Sequence, residues 1–580
     1  MFYTVVNIIF MCLSLGLIFI AYVYRQNFAI NANTNSVFLG KSLFDFETKK
    51  FFLCTEKYFH KIVLVLFLIT IFTSVFKLGE VPYGLNVDEA GMAYDALCIV
   101  NYGTDRYLNP YPVYFINYGD GQNAMYTYIA AFLINIFDYS KIVIRLPAVF
   151  LRFLTFIAIF FLMKNKQEEE NYHRKTLLFL FLFSICPYFI MQSRWGLESN
   201  LLVGFLTISV CILVSAVRTD STKLFFLSGV AFGLTLYTYA LSYIIIPIFL
   251  FSTCIYLVYC RKIAVKQILF FFIPCFLLAI PLLLMILVNN KFISEIKGII
   301  TIPLLHFYRG GEVSFNNIFE NIYVISMIFS FDNPIYYGKQ LIFNAIPFFG
   351  TIYYFLIPFF PVGIVTSCKE ALKSLKIKKI DIDIVFLVWF SSVLICDFFI
   401  YSPNINKTNA IFVPLFYFVV NGIIAVSKNL KAVIVGVIIL LFLNFTLFFH
   451  YYFYQYNNDS RELFLFATDY IDVVSFSKNL NKKEIFIQSN ICAQPYIYVL
   501  LDNQVPPYRF SKNNFKVLSE GFEKSYIFCP PDILQNDILQ SNRNDRERAY
   551  VVFNNDHWNK IFKKYSYKHK SFGRMCVFYE

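Results

Sequence analysis

Long apolar runs alternate with short charged stretches along this chain as far as about residue 452, and there the pattern stops. Twelve runs, at about 3–23, 61–78, 142–163, 176–193, 199–217, 224–240, 242–259, 267–288, 346–366, 383–400, 408–426 and 432–452, are long enough or nearly so to cross a bilayer as helices. Roughly 30 Å of hydrocarbon needs about 20 residues rising about 1.5 Å each. The loops that hold Lys41, Lys49, Lys50 and Lys57, then Lys164, Lys166, Arg174 and Lys175, then Arg218 and Lys223, then Arg261, Lys262 and Lys266, and finally Lys369 through Lys379 all fall on one side. An excess of Lys and Arg marks the cytoplasmic face, so both termini are expected outside.

That bookkeeping decides two ambiguous runs. Ala124–Phe137 is apolar but too short to cross, and counting it as a span would invert every basic loop after it. It reads as an interfacial or re-entrant helix, and Ile318–Phe331 is treated alike; counting them as spans would raise the total from 12 towards 14. Three segments then lie outside: 79–141, 289–345, and the tail 453–580, where hydropathy drops. In the tail, short β-type runs at Glu484–Gln488, Tyr496–Leu501, Tyr526–Cys529 and Tyr550–Phe553 are separated by helical stretches such as Leu463–Ser477. The expected architecture is an all-α polytopic membrane domain followed by a small α/β extracytoplasmic domain. Residues 1–60 give an anchor helix and a cytoplasmic loop, 61–452 the transmembrane domain, and 453–580 the tail domain.

Composition agrees: 58% of the 580 residues are hydrophobic and 15% charged, more apolar surface than a soluble core can hide. The net charge of +13 resides in the short loops and so reports topology; nucleic acid is not an expected partner, and the lipid bilayer is. The thirteen cysteines show no metal-ligand spacing, and most lie in apolar runs as small hydrophobes. No ligand spacing argues for a metal either, although the acidic residues leave a divalent cation open.

The candidate chemistry collects at the outer loops. Asn86-Val-Asp88-Glu89, just beyond the second span, opens a short helix that also carries Tyr94 and Asp95. A carboxylate at a bilayer surface can take the proton of an attacking hydroxyl; it can equally be a helix N-cap, with Glu89 at the positive end of the dipole. Gly119-Asp120-Gly121 reads as a tight turn that presents a carboxylate, or simply as a turn. Arg194 and Glu198, at the join of the fourth and fifth spans, are costly near hydrocarbon unless they pair four residues apart, snorkel, or bind something. Arg145 and Arg152 raise the same question, and Lys407 is a further cation at the same level. Carboxylates and cations at one membrane surface suit a substrate with an apolar tail and a phosphate at headgroup level.

In these residues the chain resembles GT-C membrane glycosyltransferases, more narrowly glycosyltransferase family 39, which includes protein O-mannosyltransferases and bacterial aminoarabinose transferases of lipid A. The resemblance runs through Asn86-Val-Asp88-Glu89 with Tyr94, Gly103-Thr-Asp105, Tyr118-Gly-Asp-Gly121, Val143-Ile-Arg145-Leu-Pro147, Ser193-Arg-Trp-Gly-Leu-Glu198 and Asn406-Lys407…Pro414, covering about residues 60–430. It implies that Asp88 is the catalytic carboxylate, with Glu89 beside it. Glu198, Asp120, Tyr94, Arg145, Arg194 and Lys407 would then bind substrate. Where several relatives carry Lys-Pro this chain has Gly121-Gln122-Asn123, so Arg145, Arg194 or Lys407 must meet the phosphate.

The resemblance therefore implies an inverting transfer of a sugar from a polyprenyl monophosphate to a hydroxyl of a glycan, lipid or protein on the outer face of the membrane. The tail is expected to help bind the acceptor. Abundant Phe, Ile, Asn, Lys and Tyr point to an A/T-rich bacterial genome, which would place the chain in a bacterial plasma membrane and make undecaprenyl phosphate the carrier. The rivals are a transporter or flippase of lipid-linked saccharides, which would carry ionisable residues deep in its spans, and a non-catalytic binder of the same lipids.

Overall fold

The computed structural model describes residues 2–31, 56–164, 166, 171–308, 317–326, 344–346, 349–401, 403–428, 430, 432–458, 465–511, 516–518, 525–540 and 547–580. Most of the loop expected at 25–60, and residues 327–331 of the second short apolar run, lie outside them. All twelve expected spans contain helix. In chain order the membrane part is α1 (Phe2–Asn31), α2 (Phe59–Val75), α3 (Val87–Tyr102), β1 (Tyr114–Asn117), β2 (Asp120–Asn123), α4 (Met125–Phe137), α5 (Lys141–Lys164), α6 (Tyr172–Ile185), α7 (Pro187–Met191), α8 (Glu198–Thr219), α9 (Thr222–Thr235), α10 (Ser242–Tyr259), α11 (Val265–Asn289), α12 (Ile318–Ser326), α13 (Phe359–Lys376), α14 (Ile382–Phe399), α15 (Phe412–Ser427) and α16 (Ala432–Tyr454).

Among the described residues nine helices are long and apolar enough to cross a membrane. The other three expected spans are shorter. α2 has 17 residues and α9 has 14, while the fourth span breaks at Cys186-Pro187 into α6 and the five-residue α7. Proline has no N–H to donate back, so a new helix starts at Pro187. The span expected at 346–366 also moves: a helical turn at Tyr354–Leu356 precedes α13, which runs on to Lys376. Lys373 and Lys376 therefore sit in the last turn of α13, where the helix dipole favours cations, rather than in a loop.

Helices approach closely where glycines face each other. A Cβ on Gly363 of α13 would lie 1.7 Å from the Phe418 carbonyl oxygen of α15, and one on Gly422 would lie 1.9 Å from that of Phe359. Two backbones can pack at this range only without side chains, a common device between membrane helices.

The tail folds as α17 (Thr468–Asn479), β3 (Glu484–Gln488), α18 (Tyr496–Asp502), β4 (Phe510–Ser511), β5 (Lys516–Leu518), β6 (Ser525–Cys529), α19 (Pro531–Gln540), β7 (Arg548–Phe553), α20 (Asp556–Lys564), β8 (Lys568–Phe572) and β9 (Met575–Tyr579). Its sheet order is β4-β5-β6-β3-β7-β9-β8, with β3 parallel to β6 and β7 and the other pairs antiparallel. The strand expected at Tyr496–Leu501 is instead the buried helix α18, because a continuous apolar run has no period to tell strand from helix.

This sheet domain rests on the start of α3. Tyr94 donates its hydroxyl to the Val505 carbonyl at 2.5 Å, Tyr498 donates to Leu85 O at 3.1 Å, and Asn86 Nδ2 to Leu465 O at 3.0 Å. Gly84 allows the approach, since a Cβ there would stand 1.9 Å from the Phe466 carbonyl oxygen.

Candidate active site

Helix α3 begins with a reciprocal cap. Asn86 Oδ1 accepts from Asp88 N at 3.0 Å, and Glu89 Oε2 accepts from Asn86 N at 3.4 Å. Asn86 is therefore the N-cap, and the capping role open to Asp88 is already filled. Asp88, in the first turn, is half-buried and faces a cavity of about 800 Å³, where Asn117 Nδ2 donates to its Oδ1 at 3.1 Å.

Glu89 points the other way. Completely buried, it pairs with Arg145 Nε at 2.9 Å and accepts from Gly196 N at 2.8 Å. The same guanidinium donates to the carbonyls of Leu78, Pro82 and Gly84. Arg194 donates to the carbonyls of Thr73, Ser74 and Val81, and Arg152 to the hydroxyls of Thr73 and Ser74 and the carbonyls of Phe183 and Ser184. Three buried guanidiniums thus gather the end of α2, whose last carbonyls have no helical partner, and the loop that leads to Asp88.

This corrects three sequence expectations. Arg145 and Arg194 are not presented to a phosphate: Arg145 is used on Glu89 and backbone carbonyls, both terminal nitrogens of Arg194 are used on backbone carbonyls, and neither residue lines the cavity. Glu89 is a structural anion rather than a second cavity carboxylate. Tyr94 is spent on the docked tail domain.

The other expected residues do converge. Asp88, Asp120, Glu198 and Lys407, from four separated segments, line the same cavity. Asp120 opens β2, and the tight turn before it is Tyr118-Gly119, both at positive φ, not Gly-Asp-Gly. Two successive positive φ values suit the twist of a two-residue hairpin. Tyr118 also donates to the Val87 carbonyl at 2.6 Å, tying the hairpin to α3. Gly91 makes room for this, because a Cβ there would meet Arg106 Nη2 at 2.8 Å, Tyr118 Oη at 2.9 Å and Asn117 Oδ1 at 3.0 Å.

Glu198 starts α8 and accepts from Asn123 N at 2.5 Å, so its partner is the hairpin, not Arg194. Lys407 donates to Tyr401 O at 2.8 Å and is the one cation among the described lining residues.

Sequence reading missed much of the lining, including Asn117, Glu320, Asn321 and Asn404. An amide network holds part of it: Trp195 Nε1 donates to Asn344 Oδ1 at 2.8 Å, and Asn344 Nδ2 donates to Asn200 at 3.0 Å and Asn406 at 3.1 Å. The density of Asn in 86–123 and 317–409 was the available signal. No three of His, Cys, Asp and Glu among the described residues stand close enough together to hold a metal ion. No described residue of the tail lines the cavity.

Residues 122–287 match the family model described as dolichyl-phosphate-mannose-protein mannosyltransferase. The matched stretch includes Arg145, Arg194 and Glu198 and begins beyond Asp88. No curated protein sequence matches the chain. Among solved structures, the chain shares its fold with ArnT from Cupriavidus metallidurans bound to undecaprenyl phosphate, at TM-score 0.52 and 10% identity, covering 90% of this chain and 97% of that one. The apo state of the same protein gives TM-score 0.52 at 10% identity, covering 90% and 98%. The oligosaccharyltransferase AglB from Archaeoglobus fulgidus, in complex with an inhibitory peptide and a dolichol-phosphate, gives 0.43 at 12% identity, covering 77% and 64%. The fold is thus the GT-C membrane fold with a small C-terminal sheet domain, as the motifs implied.

Proposed function

We propose that this protein is a membrane glycosyltransferase that moves a sugar from a polyprenyl monophosphate to an acceptor hydroxyl, on the outer face of the membrane. The observation that carries the reading is the convergence of Asp88, Asp120, Glu198 and Lys407 on one cavity. The mannosyltransferase family model and the undecaprenyl phosphate bound to ArnT support a lipid-phosphate donor.

In this reading the acceptor O–H gives its proton to the Asp88 carboxylate as its oxygen bonds to the anomeric carbon. The bond from that carbon to the phosphate oxygen breaks on the opposite side, so the configuration inverts and the polyprenyl phosphate leaves with the electron pair. Lys407 offsets the charge that develops on the phosphate. Asn117 holds one carboxylate oxygen of Asp88 in place. Glu198 is fixed by the hairpin backbone, and with Asp120 it accepts hydrogen bonds from sugar or acceptor hydroxyls.

Purified full-length protein incubated with radiolabelled polyprenyl-phosphate sugars and a cell-envelope extract tests this. Label is expected to leave the polyprenyl carrier for an acceptor, and no longer to do so in Asp88→Asn. Movement of intact labelled lipid across vesicles without glycosyl transfer would replace the reading with a flippase. Retained turnover in Asp88→Asn would remove the mechanism.

A further inference from the structure

The segment that follows α11 has an unusual distribution of side chains. Ile296 and Ile302 pair across a small antiparallel bridge, so Lys297-Gly298-Ile299-Ile300 forms a loop tip. Loop tips are ordinarily polar. Here Ile299 is 88% exposed, and Phe292 and Phe307 are 77% and 69% exposed, with Ile300 and Leu304 also outside.

The segment is nonetheless fixed. Thr301, Ile302 and Leu305 are buried, Leu305 N donates to Asn289 Oδ1 at 2.8 Å, and Val113 N donates to Thr301 O at 2.9 Å. Phe307 N donates to Gly119 O at 2.9 Å, joining the segment to the hairpin that presents Asn117 and Asp120. It is therefore two-faced, with a bonded inner edge on the hairpin and an apolar outer edge.

We infer that residues 291–307 form an interfacial strap whose outer edge enters the headgroup–acyl boundary of the leaflet on the cavity side. Three observations choose lipid as the occupant. The strap continues directly from α11, whose Leu269, Phe276, Leu277 and Leu287 already present an exposed, lipid-facing side. Its exposed apolar side chains flank the lysines, Phe292 directly after Lys291 and Ile299 and Ile300 just after Lys297, the arrangement of interfacial segments that insert apolar groups beneath anionic headgroups. The tip contains no acidic side chain, and Glu295 just before it is neutralised by Lys297 at 2.9 Å. Fixed to the hairpin at its other edge, the strap sets the depth of the cavity relative to the phosphates of the leaflet.

The test uses the full chain in nanodiscs whose lipids carry bromine near the carboxyl end of the acyl chains. Ile299→Trp and Phe292→Trp are compared with the parent protein, whose three tryptophans give the baseline. The added emission is expected to be blue-shifted and quenched about as strongly as that of Leu287→Trp, on the exposed side of α11 next to the strap. Emission at the water-exposed maximum without quenching would overturn the inference. So would quenching that is absent while a crosslinker joins position 299 to a second copy or to another protein. As a second readout, Ile299→Asp is expected to raise labelling of a neighbouring engineered cysteine by a membrane-impermeant thiol reagent at least threefold, with the thermal midpoint held. Unchanged labelling would count against insertion.

Discussion

Asn117 Nδ2 stands 3.1 Å from Asp88 Oδ1, and the two residues come from different elements, a β-hairpin and the first turn of α3. The carboxylate is held from outside its own helix. One face of α3 therefore receives the hairpin, while the residue next to Asp88 is held by the membrane helices.

Asp88→Asn should lower turnover about 10²- to 10⁴-fold, the usual worth of a positioned general base, and leave the thermal midpoint within about a degree. The helix cap belongs to Asn86, so the substitution removes no cap. Steady-state transfer of labelled sugar and a thermal melt in detergent check this.

Asn117→Ala should lower kcat roughly tenfold with little change in donor KM, because the amide orients Asp88 and does not bind the carrier. A loss of about 1.4 kcal/mol corresponds to that factor, at the lower edge of what one hydrogen bond to a charged group contributes. A rise in KM with kcat unchanged would contradict it.

Arg145→Leu should act on folding rather than turnover. It strands Glu89, completely buried, and frees the Leu78, Pro82 and Gly84 carbonyls. Breaking a buried pair from one side costs about 3–5 kcal/mol. Arg145→Leu with Glu89→Leu should recover part of the loss, read as folded yield by size exclusion.

Lys407→Ala should raise the donor KM about 10- to 100-fold, and Lys407→Gln should do the same, while an arginine there restores most of the affinity. Weakened salt dependence of donor binding in the alanine variant is the second readout.

Asp105 gives a pH prediction. Burial first, and the charge of Asp95 second, push its carboxyl up to about 6 from an ordinary 3.8. The folded state then holds this proton more tightly than the unfolded one, so the contribution to stability is complete below about pH 4. It is lost as pH rises through about 6. Two units correspond to about 3 kcal/mol at most. Asp105→Asn, whose Oδ1 can still accept from Tyr107 N and Asn109 N, should flatten the fall of the thermal midpoint between pH 5 and 7.

The helical segments were legible because a bilayer demands long apolar runs, and the short run of α4 was read as a non-spanning helix from its length together with the side on which the basic loops fall. Asp88 and Glu89 were legible as a pair but not as opposites. Adjacent helix residues point about 100° apart, and only the position of Arg145 decides which acid is buried. The arginines misled for a related reason. Beside hydrocarbon a guanidinium needs oxygen, and the sequence does not reveal that the oxygens are carbonyls at the end of α2. Tyr496–Leu501 failed because six consecutive apolar residues carry no period. Asn117 escaped notice because an amide in a strand looks ordinary until its neighbour across the cavity is known.

The hydrogen bonds from Asn86, Tyr94 and Tyr498 that join the start of α3 to the sheet domain have a consequence for protein engineering. A hybrid that exchanged only residues after 453 would present a foreign surface to the helix bearing Asp88. Chimeras between relatives should therefore trade residues 84–94 and the sheet domain as one module, and a truncated membrane half should lose activity even where it inserts normally.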